Sequence, residues 1–261
     1  MEKNLNSANR ENITLLMANH NNGMYIQQSV DSIIGQTSPL WKLIIADDQS
    51  TDNSREIYKK YERFPRIKIL FNHQNLGYIK TLKKLIDLAD TDIVGIIDPD
   101  DKLGKNCVEM VLDYYRRGPE TGFLYTNFWY CDENLNIEKK GYCRAIPEGK
   151  TALKCDLVSH FKTFRKSVYQ KTAGLDESIL YAEDKDLVLK MEEVTKLHFL
   201  DQELYYYRVK LNSQSHGDKR KISKRSYARA KRRARWRRIK TKINRLLKLS
   251  DNEIQMEKEK Y

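Results

Sequence analysis

The first hundred residues alternate short apolar runs with helix-period segments, and few folds accommodate that order. Residues 13–18, ITLLMA, are β-branched or aliphatic and give way to the polar stretch 19–23. Such a run reads as a buried strand. Tyr25, Ile26, Val30, Ile33 and Ile34 then recur at helical spacing until the segment between Gly35 and Pro39 stops them. Residues 41–46, WKLIIA, predict a second strand, and Ser50, Thr51 and Asp52 offer an N-cap for a helix over 52–63. Residues 67–71 predict a third strand. Over 78–89, Ile79, Leu82, Leu85, Ile86 and Ala89 share one helical face, and 93–97, IVGII, run as a fourth strand into Asp98. Alternation of this kind predicts a parallel sheet with helices on both faces. Ligands of such sheets bind beyond the carboxyl ends of the strands. Asn19, Asp48 and Asp98 each follow a predicted strand and are therefore expected at one crevice.

After residue 104 the pattern becomes mixed α+β. Helices are expected over 105–116, 167–173 and 183–194, and strands over 122–130, 199–200 and 204–209, with a hairpin or loop over 131–150. The second half is expected to form the acceptor side.

The net charge of +12 belongs to one segment. Residues 219–248 hold 16 Lys or Arg and no Asp or Glu, whereas residues 1–218 hold 30 basic against 32 acidic residues. A near-neutral body with a basic appendage points to an anionic partner for the appendage, not to a body that binds nucleic acid. Cys107, Cys131, Cys143 and Cys155 include no CxxC pair, so a structural zinc site is not expected. The polar N-terminal stretch carries no secretory signal and no run approaches 18 apolar residues, which predicts a cytoplasmic chain with reduced thiols.

Three acidic motifs carry candidate chemistry. Asp98-Pro99-Asp100-Asp101 follows a buried strand. Close carboxylates repel unless a cation neutralises them, and hard oxygen ligands favour Mg²⁺ or Mn²⁺. A solvated acidic turn would read the same way. Asp47-Asp48 precedes a turn in which Thr51 or Asp52 suffices for capping, leaving both carboxylates for other use. Glu183-Asp184 opens a helix, where carboxylates are stabilised but also common.

In this order, ITLLMANHNN, IIADDQSTDNS, Asn75-Leu76-Gly77, DPDD, AEDKDLVLKM after AGLDES, and LYYYRVKLNSQSH resemble glycosyltransferase family 2, in its branch of bacterial polysaccharide and rhamnosyl transferases. The resemblance implies a GT-A α/β fold with a mostly parallel central sheet and flanking helices. The expected domain spans 13–217, divided into a nucleotide-binding half (13–104) and an acceptor half (105–217), between a polar extension (1–12) and a basic helix (218–261). It implies an inverting transferase moving a sugar from a UDP- or dTDP-sugar to a hydroxyl of a saccharide or lipid-linked acceptor in cell-surface polysaccharide synthesis. Asp48 would recognise the base, with Asp47 supporting the turn and Asn19 in the same site. Asp98 and Asp100 would face the ribose. Asp101, then Asp100, would ligate Mn²⁺ or Mg²⁺. Asp184 would be the general base and Glu183 an acceptor contact. The helix after Asn75-Leu76-Gly77 lacks the family's usual Arg and Asn, and Lys80 would supply the cation. Arg208 would contact phosphate or acceptor, or simply end a strand. His160 and His216 are expected in surface or packing roles.

Within 219–248, Tyr227, Ala230, Ala234, Ile239, Ile243, Leu246 and Leu247 recur at near-helical spacing among the cations, with Trp236 as an interfacial anchor. This predicts peripheral docking on the inner face of the cell membrane. An RNA-binding arm or a helix packed on a partner protein would use the same segment. Two other functions remain open on sequence alone. A nucleotidyltransferase lacks support because no Gly-rich, cationic phosphate loop follows the first strand. A non-catalytic nucleic-acid- or membrane-binding protein would have no use for all three acidic motifs.

Overall fold

The computed structural model describes residues 12–210 and 217–258. Its N-terminal apolar runs become the parallel part of one sheet. The elements are β1 (Ile13–Asn19), α1 (Gly23–Ile34), β2 (Trp41–Asp47), α2 (Ser54–Tyr58), β3 (Ile67–Phe71), α3 (Tyr78–Leu88) and β4 (Ile93–Ile96). The strands lie side by side in the order β3-β2-β1-β4, all parallel. β1 and β2 are buried along nearly their whole length, which is why they read as continuous apolar runs. Ile26, Val30 and Ile33 of α1, and Ile79, Leu82, Leu85 and Ile86 of α3, are the buried stripes of the crossover helices. The helix expected over 52–63 ends at Tyr58, and turns follow. The sequence past Tyr58 is mostly charged and has no stripe to bury, and Tyr61 bends back to hydrogen-bond Asp31 at 2.7 Å.

The second half adds β5 (Lys102–Leu103), α4 (Cys107–Arg117), β6 (Phe123–Cys131), β7 (Ile137–Lys140), β8 (Lys162–Arg165), α5 (Lys166–Tyr169), α6 (Glu183–Glu192) and β9 (Leu197–Arg208). The sheet continues β4-β8-β6-β9-β5, with β7 paired to β6 as a hairpin. The long pairings are parallel, while β8 runs antiparallel to both β4 and β6, and β5 antiparallel to β9. Residues 199–200 and 204–209, expected as two strands, fall on the single strand β9, which ends at Arg208 and whose register slips against β6 near Asn127. β5 and β8 have no counterpart in the sequence expectations, being too short to show a period. The last described element is α7 (Gly217–Lys258), longer than the basic run that announces it.

All four cysteines are free, and only Cys155 is not fully buried. Among the described residues no helix is long and apolar enough to cross a membrane.

Candidate active site

The carboxyl ends of β1 and β2 meet in a buried polar network. Asp47 is fully buried and accepts hydrogen bonds from the Ser50 amide (2.8 Å), the Tyr58 hydroxyl (2.9 Å) and Asn19 Nδ2 (3.3 Å). Burial and the Asp47 charge push the Tyr58 hydroxyl far above its ordinary pKa, so it stays a donor. Asn19 and Asp47, expected at the nucleotide, thus face inward and set the turn. The neighbouring Asp48 faces the crevice. Its Oδ1 accepts from Asn72 Nδ2 and the Leu76 amide, and its Oδ2 from the Gly77 amide, each at 2.8 Å. The Asn-Leu-Gly segment is therefore pinned to Asp48. Gly77 has φ +81°, a backbone geometry that strains any residue with a Cβ. A carboxylate has about four acceptor positions, so Asp48 keeps one for a ligand.

Asp98, Asp100 and Asp101 form a turn held from the far side of the sheet by β9. Asp101 is 1% exposed, and its carboxylate accepts from the Tyr205 hydroxyl and the Arg208 amide, both at 2.8 Å. The Arg208 guanidinium donates to the carbonyl of Asp100 (2.6 Å), to Gln28 Oε1 (2.7 Å) and to the carbonyl of Glu133, and it stacks on Tyr25. Arg208 therefore buckles the acidic turn to its surroundings, with Nε and both terminal nitrogens engaged. Lys210 Nζ lies 2.5 Å from Asp100 Oδ2, which directs that carboxylate to a lysine. Burial, then the charge of Asp100, pushes Asp98 up to about 6 and Asp101 well above the usual carboxylate range.

The third motif opens α6 on the opposite wall. Asp184 Oδ2 lies 3.7 Å from Nζ of Lys162, a buried lysine on β8. Burial raises Asp184, but the charges of Lys162 and Lys185 outweigh it and hold the carboxyl below its ordinary value. Glu183 behaves oppositely: burial and the adjacent Asp184 push it up to about 7, and its Oε2 is buried without a hydrogen-bond partner. Two carboxylates side by side, one firmly ionised and one poised near neutrality, suit a division of proton-handling roles. His160, stacked on Tyr205 and Tyr207, is kept neutral by burial and by Lys162. It packs against those two rings, in keeping with the surface or packing role expected from sequence, and it also lines the crevice.

Asp48, Asp98, Asp100, Asp101, Glu183, Asp184 and Arg208 all line one crevice of about 680 Å³. Lys80 does not line it: its ammonium points to Glu177 at 3.8 Å on the outer surface. The cations in the crevice are Lys162, Lys210, Arg208 and Arg220. A second cavity of about 440 Å³ shares His160, Asp184 and Tyr207 with the first and is walled by Phe128, Tyr130 and Tyr142. His216, and the part of the expected Arg-containing closing segment at 211–216, lie outside the described residues.

An acidic turn beyond a parallel sheet, facing a helix that opens on two carboxylates, is the arrangement of a GT-A-type sugar-nucleotide transferase. The chain belongs to glycosyl transferase family 2, whose model matches residues 14–173. Over 213 residues it is 27% identical to a chondroitin synthase of Escherichia coli, covering 81% of this chain and 30% of that protein. The chain thus spans under a third of that relative's length. The crystal structure of S. aureus TarS 1–349 in complex with UDP superposes with a TM-score of 0.67 at 18% identity, covering 84% of this chain and 65% of that one. A mannosyltransferase from Pyrobaculum calidifontis, in complex with GDP-Man and Mn²⁺, superposes with a TM-score of 0.61 at 15% identity, covering 79% and 59%.

Proposed function

We propose that this chain transfers a sugar, with inversion, from a nucleoside-diphosphate donor (UDP- or dTDP-linked) to a hydroxyl of a saccharide or lipid-linked acceptor in polysaccharide synthesis. The observation that carries this is the convergence of Asp48, the Asp98–Asp101 turn and Asp184 on one crevice, with a second cavity on the far side of Asp184. Asp48 and the pinned segment at 75–77 hold the nucleoside. The acceptor ring lies against Phe128, Tyr130 and Tyr142, since sugars offer apolar faces to aromatic walls. Asp184, ionised at neutral pH, takes the proton of the attacking hydroxyl as the bond to the anomeric carbon forms and the diphosphate departs from the opposite face.

The acidic turn fits a divalent cation. Side-chain ligand atoms of Asp98, Asp101 and His160 lie within 4.8 Å of one another. Two mutually repelling carboxylates offer hard oxygen donors to Mn²⁺ or Mg²⁺, and the neutral imidazole adds a nitrogen donor that favours Mn²⁺ of the two. Asp98, Asp101 and His160 would hold the ion, while Asp100 is paired with Lys210. The chemistry supplied there is neutralisation of charge on the departing diphosphate.

The test is release of nucleoside diphosphate from a panel of UDP- and dTDP-sugars with Mn²⁺ present. Asp184→Asn is expected to bind donor normally and lose about 10²–10⁴-fold in turnover. Parent-like turnover in that variant removes Asp184 from its role.

A further inference from the structure

α7 leaves the body with one face uncovered. Its first half is docked: Ala230 and Ala234 are fully buried, and Arg233, Arg237 and Arg238 pair with Asp176, Glu193 and Glu192. From Ile239 to Leu247 every residue is exposed. The apolar ones stand well out in solvent: Trp236 at 69%, Ile239 at 49%, Ile243 at 50%, Leu246 at 58% and Leu247 at 59% exposure. At 3.6 residues per turn they fall in one stripe about 100° wide, centred roughly opposite the face that carries Ala230 and Ala234. The body that α7 packs on is therefore on the wrong side to cover it.

We propose that this stripe docks on an anionic lipid bilayer. Exposed Arg235, Lys240, Lys242 and Arg245 surround it, and no acidic residue lies between 219 and 248. A second copy of the helix would bring like charges together along the seam. A nucleic acid would pair the cations but leave Trp236 and four aliphatic side chains in water. A bilayer interface with acidic headgroups meets both needs: the stripe sits at the acyl boundary and the cations meet the headgroups. The root of the same helix supplies Arg220 and Ser223 to the rim of the crevice. Docking would therefore fix the crevice relative to the lipid surface.

The experiment is flotation of the full chain with vesicles of equimolar phosphatidylcholine and phosphatidylglycerol, beside vesicles of phosphatidylcholine alone. The chain is expected to float with the anionic vesicles only. The triple variant Ile239→Ser, Ile243→Ser, Leu246→Ser keeps every charge and is expected to partition on the order of a hundredfold less, because membrane affinity scales with buried apolar area. In the unmodified chain, anionic vesicles are expected to shift Trp fluorescence to the blue, and Trp236→Phe to abolish the shift. Equal flotation of parent and triple variant, no blue shift, displacement from the vesicles by single-stranded RNA, or a solution dimer that the triple variant dissolves each overturns the proposal.

Discussion

Glu183 and Asp184 are neighbours with opposite electrostatics, and each carries a test. Glu183 has an ordinary value of 4.5 and is raised to about 7. A raised carboxyl means that the folded state holds its proton longer than the unfolded chain does. The associated stability is complete below the unfolded value and is lost as pH rises through the folded one. Glu183→Gln is expected to melt with the parent below about pH 4.5 and above it at higher pH, the gap opening up to pH 7; thermal unfolding across pH measures this. Lys162 acts on Asp184 in the other direction, lowering it. Lys162→Met is expected to move the acidic limb of the rate profile to higher pH, and an unmoved limb would remove Lys162 from the site. The acidic pair was readable because it opens a helix inside a recognisable order of motifs. Lys162 was not: a lone lysine in HFKTFR looks like a surface residue until β8 carries it between β4 and β6. Lys80 erred the other way, since position along α3 does not say which way a long side chain turns.

At the scale of elements, the parallel strands were legible because burial on both faces writes itself as continuous apolar runs. β5 and β8 were not, being short and set by their partners. The turn after β2 shows what an element end needs. Asp47 ties β1, the turn and α2 together through Asn19, Ser50 and Tyr58. Removing its carboxylate leaves the Ser50 amide and the Tyr58 hydroxyl, both buried, without their acceptor. Asp47→Ala is therefore expected to cost about 3 kcal/mol, seen as a lower urea midpoint at unchanged slope. A variant with parent stability would contradict the reading of this network as a structural clasp.

Across the whole molecule, two halves of different construction share one sheet, and the crevice lies where they meet. The N-terminal half contributes Asp48 and the acidic turn; the other contributes Asp184, His160 and the aromatic cavity. The buttress from β9 explains how the turn stays buried: Tyr205 and Arg208 hydrogen-bond the Asp101 carboxyl and hold it in place, although burial and Asp100 still raise it. Sequence pattern gave the order of these motifs, but not that Asp100 turns to Lys210 while His160 turns in. Those facts depend on contacts between residues far apart in the chain. The most direct test is calorimetric titration of the full chain with UDP, dTDP and GDP, in Mn²⁺ and in EDTA. UDP or dTDP, but not GDP, is expected to bind in Mn²⁺, at least about tenfold more weakly in EDTA and in Asp98→Asn, and normally in Asp184→Asn. Binding by neither UDP nor dTDP, or equal binding in chelator, would contradict the account.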